Sequence, residues 1–472
     1  MIYFSICACV ILFMLLSYIF IKTYQLCGYQ PLPFLKSVIE LKLAYGDKNR
    51  LVFTKRMIRF ILLLFLISTG IFILINIYIT NIYLLLLDIL LIFLCMPLVI
   101  VFVHYLILPL EILIRKYFIS KAARKLKRKM IIKIGITGSY GKTSTKNILK
   151  AILEKKFKVC ATPKNYNTEM GLSRTILENL ERQDVFIAEM GARHKGDIKV
   201  LAKMVEPDYA IITTIGEQHL ETFKNLKTIE DTKYELVEGL KNDGVAVFNG
   251  DSLSSRKLFE RFEGKKEITN LPNSFAYAEN ISTTSEGSKF ELVLNGKRLA
   301  VQTKLLGKCN INNIVTASAL AYIMGVGESD IADAICDLEP TKHRLELMKN
   351  NFCTIIDDSY NSNIIGMQEA LEVLSKFEGK KIVITPGLVE LGAEQSQANF
   401  KLGAMIADVA DELIIMNKVN KNEILSGAIS HGFDRKRIHT AETRKKQKEI
   451  LEGLTESGCV ILFENDLPDN YD

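Results

Sequence analysis

The sequence predicts an α/β protein in three parts: three N-terminal transmembrane helices, a parallel-sheet domain with a P-loop, and a C-terminal Rossmann-like domain. Three observations support this prediction. Residues 1–110 are strongly apolar. Residues 131–147, IIKIGITGSYGKTSTKN, combine an apolar strand, a glycine turn and a helix start. Beyond residue 340, strand-like and helix-like segments alternate, with polar residues at the strand ends. The predicted domains are therefore 1–129, 130–339 and 340–472.

Composition limits the class of protein. A chain of 472 residues is long enough for two or three domains, and its net charge of +7 gives no general attraction to nucleic acid. We therefore expect no nucleic-acid partner. The nine cysteines are scattered without a Cys-x-x-Cys pair, which favours reduced thiols in the cytosol over a disulfide framework.

Three apolar runs, at about residues 2–21, 60–79 and 82–110, have the length of membrane-spanning helices. A signal peptide is the alternative for the first run, but no positive segment precedes it and no cleavage site is evident. Lysines and arginines concentrate in 36–59 and 115–129, which marks both segments as cytoplasmic. The expected location is the cell membrane, multi-pass, with catalytic domains in the cytoplasm. Segment 115–129 either binds anionic membrane lipids or serves only as a topology signal.

The glycine turn TGSYGKTS predicts a phosphate-binding loop. Gly138 and Gly141 allow the backbone to approach an anion, and the following helix N-terminus supplies positive potential. Lys142 would contact terminal phosphates, and the Thr143 hydroxyl would hold Mg²⁺. The alternative is an ordinary strand-to-helix turn with a surface lysine. Ile136 stands where the general P-loop has glycine, so this is the shorter T-G-x-x-G-K-T form.

Polar residues follow the next two predicted strands. Glu189 ends the strand VFIA, a suitable place for a Mg²⁺ ligand beside a P-loop. His219 follows the strand YAIITTI, and Lys233 lies on the next helix pattern. Taken alone, His219 is more typical of a capping or packing residue, and Lys233 of a solvated lysine. Further on, the alternation around Asn295–Gly296 predicts a hairpin.

With these residues assembled, residues 131–472 resemble the Mur ligase family. TGSYGKTS is similar to its TGxxGKT[ST] loop, AEMGARHKGDI to ExGxxxxGEI, and TTIGEQHLETFKNLKTIEDTKYEL to TNIGxAHLExFGSxExIAxAKxE. GKCNINN is similar to GxHNxxN, and DDSYNSN to DDSYNANP. Within the family these blocks, together with LVELG, most resemble the ligase that adds D-alanyl-D-alanine to UDP-N-acetylmuramoyl-tripeptide.

The resemblance implies an ATP-dependent, ADP-forming amide ligase that activates a carboxylate as an acyl phosphate. The implied cofactors are ATP and Mg²⁺. The implied substrates are a cell-wall precursor and an amino acid or dipeptide, with other wall-synthesis enzymes as candidate partners. Domain closure would exclude water from the acyl phosphate.

The resemblance also implies roles for individual residues. The implied catalytic residues are Lys142, Lys233, His219 and Arg344. The implied metal-binding residues are Thr143, Glu189, His219 and Lys233, the last as a carbamate. The implied nucleotide-binding residues are Gly138, Ser139, Gly141, Lys142, Thr143, Ser144, Asn310, Asn313, Arg344 and Asp358. Asn361 and Asn363 fall in the accompanying loop.

Several departures from the family pattern leave alternatives open. The N-terminal UDP-sugar domain is missing, Cys309 replaces a histidine, and Ile364 replaces a proline. One alternative is the same chemistry on another acceptor, such as a membrane-associated poly-γ-glutamate-type or other envelope amide ligase. The other is a nucleotide-binding membrane scaffold for wall synthesis, which ranks last because Glu189, His219 and Lys233 are intact.

Overall fold

The computed structural model describes residues 17–43, 51–76, 82–163, 166–218, 220–349, 352–360, 363–389, 391–416 and 418–466. The chain divides into two compact units, one of residues 1–117 with 468–472 and one of residues 118–467.

The N-terminal unit is helical. Residues 17–26 form a helix, followed by α1 (Pro31–Ile39), α2 (Lys55–Asn76) and α3 (Ile82–Lys127), whose last turns belong to the second unit. Apolar side chains from these helices bury one another, among them Tyr24, Phe34, Met57, Phe60, Met96 and Ile100. Polar groups in the same unit pair internally: the Arg59 guanidinium forms two hydrogen bonds of 2.7 and 2.8 Å with the Glu111 carboxylate.

The prediction of three membrane-spanning helices is not confirmed. Among the described residues, one helical segment, Cys95–Lys127, is long and apolar enough to cross a membrane. Most of the first predicted span and the turn at residues 80–81 lie outside the described residues. The predicted multi-pass membrane localisation is therefore also contradicted. Hydropathy led to the error because it records apolar side chains without showing what covers them, and part of this apolar surface is used in the core of the unit.

Part of the basic segment 115–129 contacts the second unit's own backbone. The Lys125 ammonium donates to the carbonyl of Leu177 at 3.0 Å, and Lys129 donates to that of Glu181. Burial lowers the pKa of Lys125, with the nearby charge of Lys129 acting in the same direction. Binding of anionic lipid by this segment stays a prediction from its charge.

The second unit contains two sheets. The first has nine strands in the order β2-β3-β1-β4-β5-β6-β7-β8-β9. Its strands are β1 (Ile132–Thr137), β2 (Val159–Ala161), β3 (Val185–Glu189), β4 (Tyr209–Ile212), β5 (Val245–Asn249), β6 (Lys265–Thr269), β7 (Ala276–Thr284), β8 (Gly287–Leu294) and β9 (Lys297–Thr303). From β2 to β7 in this order, each strand pairs in parallel with its neighbour. Strand β8 pairs antiparallel with both β7 and β9.

Helices cover both faces of this sheet. They are α4 (Lys142–Leu153), α5 (Glu169–Asn179), α6 (Asp197–Val205), α7 (Leu220–Phe223), α8 (Leu226–Glu238), α9 (Leu253–Arg261), α10 (Lys308–Ile323) and α11 (Glu328–Cys336). One core contains α4, α10 and α11, and the other contains α5, α6, α8 and α9. With both faces covered, β3 is buried at every position, which explains its continuous apolar run.

The predicted hairpin is confirmed. Strands β8 and β9 pair in antiparallel register from Leu294↔Lys297 outward. Asn295 and Gly296 both have positive φ, 47° and 81°, as a two-residue type I′ turn requires.

The second sheet has six strands in the order β10-β11-β15-β12-β13-β14, all parallel except β10. They are β10 (Glu346–Lys349), β11 (Cys353–Asp358), β12 (Lys381–Thr385), β13 (Glu412–Met416), β14 (Ile438–Ala441) and β15 (Cys459–Glu464). The helices are α12 (Ile364–Ser375), α13 (Gln395–Ala407), α14 (Lys421–Ser430) and α15 (Arg444–Leu454). The predicted α/β class with two largely parallel sheets is confirmed.

Candidate active site

The glycine turn between β1 and α4 has no room for side chains at its two glycines. Gly138 has φ 154° and Gly141 has φ 79°. A Cβ at Gly138 would lie 2.0 Å from the Thr213 hydroxyl oxygen, and one at Gly141 would lie 2.6 Å from Asn313 Oδ1. Glycine is therefore required here both by backbone conformation and by the closeness of β4 and α10.

The loop is fastened to the segment after β4. The backbone N–H groups of Ser139 and Tyr140 donate to the carbonyl of Thr214 at 2.9 and 3.1 Å. The Ser139 hydroxyl donates to the carbonyl of Gly216 at 2.8 Å, and the Thr213 hydroxyl donates to the carbonyl of Tyr140 at 2.6 Å. These bonds fix the shape of the loop without help from a ligand.

Lys142 folds back over the loop. Its Nζ donates to the carbonyls of Gly138 at 2.8 Å and Ser139 at 2.7 Å. Enclosure by protein lowers the pKa of Lys142 to about 8, with the Arg344 charge in the same direction and the Glu189 carboxylate opposed. The ammonium group thus lies at the rim of the loop, where a phosphate oxygen could accept from it.

Glu189 is the centre of a buried polar cluster at the carboxyl end of β3. Its Oε2 accepts from the Thr143 hydroxyl and from Lys146 Nζ, both at 3.0 Å. Its Oε1 accepts from Asn167 Nδ2 at 3.3 Å. Carboxylate and hydroxyl oxygens are ligands that Mg²⁺ prefers, so Thr143 and Glu189 fit the metal that the resemblance implies.

Lys233 is buried rather than solvated, with 3 % of its surface exposed. Burial lowers its pKa to about 7, and the charge of Lys142 acts in the same direction. The carboxylates of Asp197 and Glu235 act in the opposite direction. An amine with this pKa is partly neutral near pH 7, and only a neutral amine is nucleophilic.

The first turn of α10 lies beside the loop. Asn313 accepts a hydrogen bond from the Thr145 hydroxyl at 3.1 Å. Asn310 is 9 % exposed and donates from Nδ2 to the carbonyl of Leu306 at 2.8 Å. Both predicted nucleotide-binding asparagines are therefore held on one rigid helix next to the P-loop.

The second sheet contributes Arg344 and Asp358. The Arg344 guanidinium lies 4.5 Å from the ring centroid of Tyr360, which is a cation–π contact. Its positive charge helps to lower the pKa of Lys142. Asp358 Oδ1 accepts from the backbone N–H of Leu345 at 3.0 Å. Burial raises the pKa of Asp358 to about 6, opposed by that hydrogen bond and by Arg344.

The backbone around Arg344 is strained and tied down. His343 and Leu345 have φ 62° and 48°, in the left-handed region. The ligand atoms of His343, Glu346 and Asp357 lie within 4.8 Å of one another. They bond to each other: His343 Nδ1 lies 2.8 Å from Asp357 Oδ2, and the His343 N–H donates to Glu346 Oε2 at 3.0 Å. This cluster holds the turn that carries Arg344.

Four other predicted residues remain. His219 and Asn361 lie outside the described residues. Asn363 caps α12, because its Oδ1 accepts from the N–H groups of Ile365 at 3.0 Å and Gly366 at 3.1 Å. Ser144 is buried in the first turn of α4.

Sequence reasoning missed Lys146, which forms a buried ion pair with Glu189; each side chain is 2 % exposed. One signal was available. Lys146 follows Lys142 by four positions, so the two lie on one face of α4, the face that borders the site. Glu369, on α12, was also missed; it contacts the start of α10.

A glycine loop with its lysine, a hydroxyl and a carboxylate at a parallel sheet edge, joined to a second α/β domain, defines a P-loop nucleotide-dependent enzyme. The profile of the Mur ligase middle domain matches residues 136–321, and that of the Mur ligase glutamate ligase domain matches residues 343–464. The chain belongs to the Mur ligase family.

Relatives support this membership. UDP-N-acetylmuramoyl-tripeptide–D-alanyl-D-alanine ligase of Bacillus subtilis is 31% identical over 334 residues, covering 70% of this chain and 72% of that protein. The Escherichia coli enzyme of the same name is 30% identical over 321 residues, covering 65% and 69%. A crystal structure of MurF ligase from Thermotoga maritima in complex with ADP has a TM-score of 0.67 at 25% identity, covering 75% and 80%. The predictions of an ATP-dependent, ADP-forming ligase with ATP and Mg²⁺ as cofactors are confirmed.

Proposed function

We propose that this chain joins D-alanyl-D-alanine to UDP-N-acetylmuramoyl-tripeptide, with hydrolysis of ATP to ADP and phosphate. The proposal takes its substrates from the names of the Bacillus subtilis and Escherichia coli relatives. The observation that carries the chemistry is the cluster in which Thr143 and Lys146 both bond Glu189 beside the Lys142 loop.

The first step is transfer of the γ-phosphoryl group to the tripeptide carboxylate. A carboxylate oxygen attacks the γ-phosphorus, the bond to the bridging oxygen breaks, and ADP leaves. Lys142 and the N–H groups of the loop stabilise the charge that develops on the phosphate oxygens. Mg²⁺, held by Thr143 and Glu189, would supply Lewis-acid stabilisation of the same charge.

The second step is formation of the amide. The amine of D-alanyl-D-alanine attacks the acyl carbon of the acyl phosphate, and inorganic phosphate leaves as the C–N bond forms. The neutral amine gives up one proton, which passes to the departing phosphate or to solvent, and its other proton stays on the amide nitrogen. Arg344, held between two strained residues over Tyr360, would bind phosphate oxygens in both steps. The C-terminal domain would at the same time keep water away from the acyl phosphate.

Lys233 is proposed to act as its carbamate. The neutral amine attacks the carbon of CO₂, an N–C bond forms, and one proton passes to solvent. The burial that lowers the pKa of Lys233 to about 7 provides the neutral amine for this reaction. The resulting anion would serve as a metal ligand together with His219, a role closed to a cationic lysine. Carbamylation and the His219 ligand remain proposals.

The proposed domains keep the predicted boundaries, 1–129, 130–339 and 340–472. The two sheets and the two family profiles fall on opposite sides of residues 339 and 340, which supports the second boundary. Association with other wall-synthesis enzymes also stays a prediction.

ADP release tests the proposal. The purified chain is incubated with ATP, Mg²⁺ and UDP-N-acetylmuramoyl-tripeptide, with either D-alanyl-D-alanine or L-glutamate as the amine. We expect ADP release that depends on D-alanyl-D-alanine, with the matching pentapeptide product by mass spectrometry. Turnover with glutamate alone would favour the poly-γ-glutamate-type alternative. No turnover with any acceptor would favour the scaffold.

A further inference from the structure

Helix α10 begins without a cap of its own. Its N-cap residue is Gly307, with φ 85°, and no side chain of the adjoining chain accepts from the first-turn N–H groups. The first N–H groups of a helix have no partner within the helix, and they need an acceptor wherever water is excluded. For a 16-residue helix that borders a nucleotide site, the acceptor decides how firmly the first turn is held.

The acceptor comes from the other sheet's domain. Glu369, on α12, accepts the backbone N–H of Cys309 at 2.9 Å through its Oε2. A carboxylate at a helix N-terminus is favoured by the helix dipole as well as by the hydrogen bond. Burial raises the pKa of Glu369, and its contacts with Cys309 oppose that rise.

Packing brings the two groups into contact. Leu306, just before α10, is 1 % exposed and belongs to the core of the second sheet with Leu345 and Val373. A Cβ at Gly307 would lie 3.1 Å from Leu345 Cδ1 and 3.7 Å from Glu369 Oε2. The start of α10 is therefore inserted into the C-terminal domain, and glycine at 307 permits the approach.

The first two turns of α10 carry the candidate nucleotide residues. Asn310 follows Cys309 directly, and Asn313, one turn later, bonds Thr145 and closes against Gly141. A shift at the N-terminus of α10 would therefore move both asparagines relative to the P-loop. Cys309 contacts Glu369 through its thiol as well as through its backbone N–H.

We propose that Glu369 is a positioning residue that caps α10 across the domain interface and so sets Asn310 and Asn313 for nucleotide. This inference rests on the proposed function and on the nucleotide contact that the family resemblance implies for both asparagines. It adds that the C-terminal domain acts on nucleotide affinity from outside the nucleotide site, through the contact of Glu369 with the start of α10.

The test compares three variants of the full chain. E369A removes the acceptor, E369Q keeps an oxygen that can accept from Cys309, and E372A removes an exposed carboxylate from the same helix as a matched control. Two readouts need no acyl acceptor: amide hydrogen exchange of Cys309 by mass spectrometry, and the Kd for ADP by calorimetry. Steady-state kinetics then separate KM for ATP from kcat.

We expect E369A to speed Cys309 exchange and to raise both the Kd for ADP and KM for ATP by about fivefold to thirtyfold, the upper part of the range for a lost helix cap. E369Q should stay within about threefold of the unaltered chain, and E372A should match it. Unchanged exchange in E369A would overturn the capping contact, and faster exchange with an unchanged Kd would overturn the positioning role. An E369Q as impaired as E369A would also overturn the proposal. If the unaltered chain binds ADP but turns over no acceptor, the proposed function fails while these two readouts still decide the role of Glu369.

Discussion

Replacing Lys146 by methionine tests the centre of the candidate site. The side chain keeps its length and loses its charge, so the buried Glu189 carboxylate loses the ammonium 3.0 Å away. Both side chains are 2 % exposed, so water cannot replace the missing cation. Breaking a buried ion pair at one partner typically costs about 3–5 kcal/mol. At about 2 °C per kcal/mol for a large domain, we expect Tm to fall by about 6–10 °C.

Thermal unfolding followed by circular dichroism measures this change. The double variant K146M/E189Q removes both charges and should recover most of the lost stability, because no uncompensated carboxylate remains. K150M is the matched control: Lys150 lies on the same helix but 43% of its side chain is exposed, so its effect should be within about 0.5 kcal/mol. Mg²⁺ with ADP should raise the Tm of K146M more than that of the unaltered chain, because the ion replaces the missing positive charge beside Glu189.

Two results would refute the reasoning. If K146M unfolds at the same temperature as the unaltered chain, the ion pair does not compensate the Glu189 charge. If the double variant is no more stable than K146M, the loss of stability comes from packing around residue 146 and not from the unpaired carboxylate.

Three other predictions follow from the site. K233A should abolish ADP release, and added acetate or formate should restore part of it. K227A, on the exposed side of the same helix, is the control and should be active. Full activity of K233A without added carboxylate would exclude the carbamate. G141A should weaken ADP binding more than tenfold, because φ at this position is 79° and the new Cβ would lie 2.6 Å from Asn313 Oδ1. G453A is the control, because a Cβ there meets open space. Equal ADP affinities of G141A and G453A would contradict the steric argument. Lys233 is neutral above its pKa of about 7, and Lys142 is charged below its pKa of about 8. We therefore expect kcat/KM for ATP to rise with pH near 7 and to fall with pH above about 8. A profile that is flat from pH 6 to 9 would show that neither titration limits activity.

The sequence predicted those parts of the fold that depend on neighbours in the chain. The apolar run of β1, the glycine turn and the first turn of α4 all lie within residues 131–147, so the motif can be recognised from consecutive residues alone. The same holds for the Asn295–Gly296 turn, because asparagine tolerates positive φ and glycine, which has no Cβ, adopts it freely. Glu189 could be identified because it ends a buried strand, where a lone carboxylate needs a partner.

Residues that act through distant partners could not be read in this way. Nothing in the sequence around Lys146 reveals its ion pair, because its partner Glu189 lies on β3, 43 positions away along the chain. Glu369 and Cys309 are 60 positions apart and lie in different domains. The pKa of Lys233 depends on burial and on Lys142, neither of which its own helix pattern reveals.

The N-terminal apolar runs show that hydropathy, too, does not reveal the contacts of a side chain. Hydropathy states that a side chain leaves water favourably, but it does not say whether lipid or protein receives it. The sequence alone thus determined the P-loop, the order of strands and helices that follow it, and the family resemblance, because these depend on local pattern. Tertiary structure decided which charges are buried together, which helix ends are capped and which apolar faces meet, because each depends on contacts between residues far apart in the chain.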